Sequence, residues 1–174
     1  MFALTGSAPE AASLFTHAAR LLGDRDARDI VRDGSDDELH ANRTGQILCT
    51  LQTLAAAAVL RDTLPNQLIL AGYSVGEVAA WGVAGLLSPA VTLDLVARRA
   101  EIMDSVSVAG DGLLSIRGLP RAVIDRLCRR HDAAVAIVNP GEAFVLGASQ
   151  AALACLAEEA EALNATRVVP LAVQ

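Results

Sequence analysis

Leu68-Ile69-Leu70-Ala71-Gly72-Tyr73-Ser74-Val75-Gly76-Glu77 decides how this chain is read. An apolar run leads into a serine set between two glycines, and Val78-Ala79-Ala80-Trp81 continues with helical character. Strand, tight turn and helix thus meet at one hydroxyl. That hydroxyl sits at the amino end of the helix, where N–H groups without intrahelical partners favour negative charge, as on an acyl tetrahedral intermediate. The glycines have a steric role: with the serine strained, side chains two residues to either side would collide as strand folds back into helix. The pattern is the Gly-x-Ser-x-Gly nucleophile elbow. Alone, it also describes a strand-to-helix turn that carries a solvated serine.

Around this stretch, 174 residues with 53% hydrophobic content suffice for one domain and a small appended one. The longest apolar stretches, Leu54 to Leu60 and Val78 to Leu87, are too short to span a bilayer, so no membrane association is expected. Met1-Phe2-Ala3-Leu4-Thr5-Gly6 lacks the basic flank and apolar centre of a signal peptide, and the cytoplasm is the expected compartment. Cys49, Cys128 and Cys155 are far apart and odd in number, which supports neither a disulfide framework nor a metal site. A net charge of -6, with arginine as the only strong cation, argues against a nucleic-acid binder. Half of the arginines lie between Arg98 and Arg130, as a local patch or a solvated helix surface.

Pro9 to Leu22 has helical spacing, with Ala12, Phe15, Ala19 and Leu22 on one side. Gly23 to Arg43 is aspartate-rich and reads as short helices and loop, and Thr44 to Leu64 as a strong Ala-rich helix closed by Pro65-Asn66. Past the elbow helix, Gly85 is a C-cap, and Ser88-Pro89 opens a helix to about Asp104. On that helix Arg98 is within reach of Asp94 and Glu101, an ordinary surface set. Arg99 falls on the stripe of Val91, Leu95 and Ile102, the face expected to pack inward. A buried arginine needs an anion, either a protein carboxylate or one on a substrate.

Beyond Val108-Ala109-Gly110-Asp111-Gly112 the pattern changes. Strand over Leu113 to Arg117, helix over Pro120 to His131, strand over Ala133 to Val138, turn at Asn139-Pro140-Gly141-Glu142, strand over Ala143 to Ala148, helix over Gln150 to Leu163 and strand over Thr166 to Leu171 make βαββαβ. That order is a split-βαβ, ferredoxin-like unit. The expected architecture is therefore α/β: an α/β-hydrolase-like parallel-sheet core over 1–110, a ferredoxin-like subdomain over 111–171, and 172–174 beginning a return to the core.

A serine nucleophile needs a base, usually an oriented histidine. His17, His40 and His131 are the candidates, and each reads better as a surface residue.

Gly72-Tyr73-Ser74-Val75-Gly76-Glu77, Ala84-Gly85-Leu86-Leu87-Ser88, Arg98-Arg99-Ala100-Glu101-Ile102-Met103 and the βαββαβ unit with Asn139-Pro140-Gly141 together resemble the malonyl-CoA:acyl carrier protein transacylases. These are the acyltransferases of fatty-acid and polyketide synthesis. The likeness runs from about Gln46 to the end, and its order and spacing are far more specific than the elbow alone. It implies that Ser74 carries a malonyl ester, that the Val75 N–H is one oxyanion donor, and that Arg99 pairs with the free malonyl carboxylate. Gln46 matches a glutamine near the family's active site, Asn139 falls on the subdomain edge facing the acyl group, and Tyr73 stands where the family usually has histidine. The donor would be malonyl-CoA or a similar acyl-CoA and the acceptor the phosphopantetheine thiol of an acyl carrier protein, with the coenzyme A thioester a substrate and no bound cofactor.

The family's opening strand with its Gly-Gln-Gly-type loop has no match before Pro9. Thr166-Arg167-Val168-Val169-Pro170-Leu171 resembles the strand leading to the family's catalytic histidine, which the chain does not reach. The expectation is a chain lacking base and half the oxyanion hole, unable alone to sustain ping-pong transfer and self-associating through an exposed sheet edge. The alternatives are an α/β-type serine hydrolase or thioesterase, and a degenerate, non-catalytic fragment that docks a carrier protein through Arg117, Arg121 and Arg130.

Overall fold

Two hydrophobic cores that share no residue divide the chain. The computed structural model describes residues 1–171, and 172–174, with the expected return to the core, lie outside the described residues. The first unit is Met1–Val106, and the second begins at Ser107.

The first unit is helical. A single 3-10 turn at Pro9–Ala11 leads into α1 (Ala12–Leu21), followed by α2 (Ala27–Asp33) and α3 (Asp36–His40) in the aspartate-rich stretch. The long α4 (Asn42–Leu60) tightens into a 3-10 turn at Arg61–Thr63, and α5 (Val75–Val83) and α6 (Pro89–Val106) follow. Helix α4 is the hub: Ile47, Leu48, Leu51, Leu54 and Ala55 are buried, against Leu14, Phe15 and Ala18 of α1 and Leu93 and Ala97 of α6. The elbow helix α5 reaches this core at Gly82. A Cβ there would stand 2.6 Å from Thr92 Oγ1 and 2.8 Å from Leu54 Cδ2, so only a residue without a side chain lets α5 settle on α4 and α6 together.

Leu68–Leu70 differs from expectation, for it belongs to no strand, and Ile69 is fully exposed. A strand exists only as a member of a ladder, and the described residues of the first unit contain no other strand for this run to pair with. The parallel sheet expected around the elbow is therefore not formed among the described residues.

The second unit matches its pattern element by element: β1 (Asp111–Arg117), α7 (Arg121–His131), β2 (Ala134–Asn139), β3 (Ala143–Ser149), α8 (Gln150–Ala162) and β4 (Arg167–Leu171). The sheet order is β2-β3-β1-β4 with every neighbour antiparallel, so β3 lies between β1 and β2, as a split-βαβ unit requires. Alternation sets the register. Leu114 faces Leu146 and Ile116 faces Phe144, and these four pack with Ile124 and Leu127 of α7 and Leu153 and Leu156 of α8.

The amino-terminal turn is anchored in the first core. Phe2 meets Phe15 edge-on at 5.0 Å, and Arg28 lies 4.8 Å from the centre of the Phe15 ring while donating to the Gly6 carbonyl at 2.7 Å. Asp26 caps α2 by accepting the Arg28 N–H at 2.8 Å and also binds the Arg28 guanidinium. That guanidinium holds the Asp26 carboxyl below the usual carboxylate range. A carboxyl whose pKa is depressed by folding stabilises the fold above its unfolded pKa and loses that contribution as pH falls through the folded value. Asn at this position keeps the cap and loses the charge. Wild type should therefore exceed Asp26→Asn in stability by about 0.5–1 kcal/mol at neutral pH, as expected for a partly exposed pair. Urea titrations at descending pH should show the two converge below the carboxylate range.

Candidate active site

Ser74 sits immediately before α5 with φ 54 and ψ -121, a backbone that a residue with a Cβ rarely adopts and that is typically kept at functional positions. The turn is closed by the Gly76 N–H on the Tyr73 carbonyl at 2.9 Å and the Glu77 N–H on the Ser74 carbonyl at 3.1 Å. Gly72 makes it feasible: a Cβ there would lie 2.0 Å from the Gly76 carbonyl oxygen and 2.4 Å from the Glu77 nitrogen. Gly76 corrects the expectation of two steric glycines, since a Cβ at that position meets nothing within 4 Å. One flank of the elbow is crowded because the chain doubles back over Gly72, and the other opens outward. Val75 occupies the first helical position, whose N–H has no intrahelical acceptor.

Three elements converge on the serine. Arg99 of α6 directs Nη2 to Ser74 Oγ at 3.3 Å and donates through Nη1 to Gln46 Oε1 of α4. Gln46 is 8% exposed. Its Nε2 donates to Asn42 Oδ1 at 2.5 Å, one helical turn earlier, and approaches Met103 Sδ at 3.5 Å. Asn42 Nδ2 donates in turn to Asp104 Oδ1 at 2.6 Å and to the Ala100 carbonyl at 3.3 Å. Ser74, Gln46 and Arg99, named separately from sequence, are thus one hydrogen-bonded cluster. Asn42 and Asp104 were missed. The spacing of Asn42 four residues before Gln46 on a helix was the available signal for the first, and nothing local marks the second.

The stripe that suggested an inward Arg99 is not the packed face. Val91, Leu95 and Ile102 are 49%, 40% and 52% exposed, and α6 buries Thr92, Leu93, Val96, Ala97 and Ala100 instead. Helix α6 carries two apolar faces, and the one with the smaller side chains fits against α4. Arg99 is nonetheless half-buried, because Gln46 and Ser74 cover it. Among the described residues no carboxylate pairs with it. Arg98 pairs with Glu101 at 3.1 Å as expected, whereas Asp94 pairs with His17 at 2.7 Å. Arg98, and after it Arg43, hold the Glu101 carboxyl below its usual range.

The other expected residues are placed as follows. Tyr73 is 62% exposed beside the serine. Asn139 is in the second unit, the last residue of the edge strand β2, opposite Ala143 of β3. Neither His17, held by Asp94, nor His40, at the end of α3, hydrogen-bonds Ser74. His131 is bonded to Glu159 at 2.8 Å. Of the arginines named for docking, Arg121 pairs with Asp125 and Arg130 with Glu159, which weakens the case for a free basic patch. Among the described residues no cluster of His, Cys, Asp or Glu could hold a metal ion, and no helix is long and apolar enough to cross a membrane. A cavity of about 640 Å³ in the first unit, lined in part by His17, Leu54, Leu64, Leu68 and Pro89, shares no residue with the Ser74 cluster.

A family profile described as the acyl transferase domain matches residues 11–173. The chain belongs to this family. Proteins similar to it include the human mitochondrial malonyl-CoA-acyl carrier protein transacylase, 33% identical over 140 residues, or 76% of this chain and 36% of that protein. The malonyl CoA-acyl carrier protein transacylase of Haemophilus influenzae is 30% identical over 169 residues, 91% of this chain and 53% of that protein. Among solved structures, a malonyl-transacylase bound to a type II polyketide acyl carrier protein superposes with a TM-score of 0.85 at 26% identity, over 99% of this chain and 58% of the other. The chain thus spans about half, or less, of the length of these relatives.

The elbow geometry separates its two glycines. Gly72→Ala should destabilise the protein by about 1–3 kcal/mol through overpacking against backbone. Gly76→Ala, in open space on a helix, should be neutral or gain up to about 1 kcal/mol. Denaturant unfolding of both variants checks this, and equal tolerance at the two positions would refute it.

Proposed function

We propose that this chain takes part in acyl transfer, moving a malonyl-type group from a coenzyme A thioester to Ser74 and on to the phosphopantetheine thiol of an acyl carrier protein. The observation that carries the reading is the Arg99 guanidinium, held by Gln46 and aimed at Ser74 Oγ from 3.3 Å with no carboxylate of its own among the described residues. A planar cation beside a nucleophile suits an acyl group that ends in a carboxylate, which a guanidinium can bind with two parallel hydrogen bonds. In the first step Ser74 Oγ attacks the thioester carbonyl, the C–S bond breaks, and the serine proton ends on the departing thiol. The second step reverses this with the carrier thiol as nucleophile. The Val75 N–H, at the helix start, would donate to the oxyanion in both. Relatives named as malonyl transacylases, one solved with a carrier protein, support the substrate and the partner.

Hydrolysis by the same serine, with water as acceptor, has less behind it, because a hydrolase of neutral esters has no use for Arg99. Replacing Arg99 decides between the two. Arg99→Ala should lower the advantage of malonyl-CoA over acetyl-CoA by about 10- to 100-fold, the equivalent of one charge-assisted contact. Calorimetric binding of the two thioesters and intact-mass detection of Ser74 acylation report it, with Ser74→Ala as the blank. An equal loss for both thioesters would leave the carboxylate role without support.

The sheet edge expected to drive self-association is not formed at Leu68–Leu70 among the described residues, but this exposed run supports the same reading, since exposed apolar surface seeks a cover. Light scattering should then give a mass above 18.0 kDa that falls on Ile69→Lys. A monomer at micromolar concentration would exclude it.

A further inference from the structure

Side-chain amides present an oxygen and an NH2 group of nearly the same shape, so their neighbours decide which way each one points. In this site the neighbours leave one solution. Asp104 Oδ1 and the Ala100 carbonyl only accept, and both face Asn42, at 2.6 and 3.3 Å, so Asn42 must turn Nδ2 toward them. That leaves Asn42 Oδ1 for Gln46, which must answer with Nε2 at 2.5 Å. The Met103 sulfur at 3.5 Å, a weak acceptor, favours the same orientation. Gln46 Oε1 is then what remains for Arg99, a group that can only donate. The row runs from an acceptor-only carboxylate to a donor-only guanidinium, and reversing either amide would set donor against donor. Gln46 is buried, so water is poorly placed to repair such a mismatch.

We propose that Asn42, its amide fixed by Asp104 and the Ala100 carbonyl, is a positioning residue that turns the acceptor face of Gln46 toward Arg99 and so aims the guanidinium at the acyl carboxylate. The inference rests on the reading of Arg99 as the carboxylate-binding group. It adds a third tier to the site: Asn42 and Asp104 act through Gln46 and touch neither Ser74 nor substrate.

Two substitutions separate positioning from structural support. Asn42→Leu keeps the branched shape and removes both polar ends of the amide. Asn42→Asp keeps an oxygen for Gln46 Nε2 but sets a carboxylate against Asp104 and the Ala100 carbonyl, so it should lose thermal stability. The preference for malonyl-CoA over acetyl-CoA, taken as a ratio of dissociation constants, should fall about tenfold in Asn42→Leu, as for loss of one hydrogen bond to a charged group. In the less stable Asn42→Asp it should stay near wild type. A residue that only supports the fold would make preference follow stability. The Gln46 side-chain amide protons, observed by 15N-edited NMR without ligand, should be protected from exchange in wild type and Asn42→Asp and released in Asn42→Leu. Unchanged Gln46 signals in Asn42→Leu, or equal loss of preference in both variants, would overturn the proposal. If Gln46 responds as expected while wild type shows no malonyl preference, the carboxylate reading fails and the ordering of Gln46 by Asn42 stands.

Discussion

A half-buried guanidinium without a carboxylate partner among the described residues is the constraint around which the first unit is arranged. Removing a cation from water is costly, and neutral oxygens offset only part of that cost. Arg99 is tolerated because Gln46 and Ser74 each supply an oxygen and because one side of the group stays open. Three separate elements must then meet within hydrogen-bond distance. Helix α4 carries Gln46, α6 carries Arg99, and the turn before α5 carries Ser74. Gly82 lets α5 approach the other two closely enough, since any side chain there would meet Thr92 and Leu54 first. Packing and chemistry are therefore tied: the contact that seats α5 in the core is also what brings its first turn to the arginine.

The second unit is held together differently, by a sheet that buries one face under two helices. Its alternation is regular enough that strand boundaries, turns and helices could be read from residues alone. Gly118, Asn139-Pro140-Gly141 and Ser149 punctuate the pattern, and Ser149 caps α8 through the Ala152 N–H at 3.2 Å. Local signals suffice there because each strand finds its partner within the unit. Leu68–Leu70 shows the opposite case. Its apolar composition suggests a strand, but a strand is a property of a pair, and the described residues of the first unit offer no second strand.

The site was legible to the same extent. Ser74 and Gly72 can be named because the elbow is a local steric problem, and the clash a Cβ at Gly72 would make is the one the motif implies. Gly76 shows the limit of that reasoning, for the motif treats both flanks alike while the chain crowds only one. Arg99 is inward for another reason than its stripe suggests: the stripe is exposed, and the arginine is half-buried through Gln46 and Ser74. A helix with two apolar faces does not reveal from its own sequence which one packs. Asp104 was invisible because its part depends on amide orientation two contacts away.

The contact between Arg99 and Ser74 also bears on how such a serine is kept ready. With Nη2 donating to Oγ, the serine oxygen is the acceptor in that bond, and its own proton is left to point elsewhere. On the proposed reading, an incoming acyl group with a terminal carboxylate offers the guanidinium a charged oxygen in place of a neutral one, the stronger of the two partners. The carboxylate would then displace the hydroxyl from Arg99, and Oγ would regain a lone pair as its electrophile arrives. An acyl group without a carboxylate leaves the hydroxyl where it is. On that reading, selectivity would lie partly in binding and partly in release of the nucleophile. On the same reading, a protein carboxylate beside Arg99, which the described residues do not supply, would satisfy the cation permanently and remove both effects.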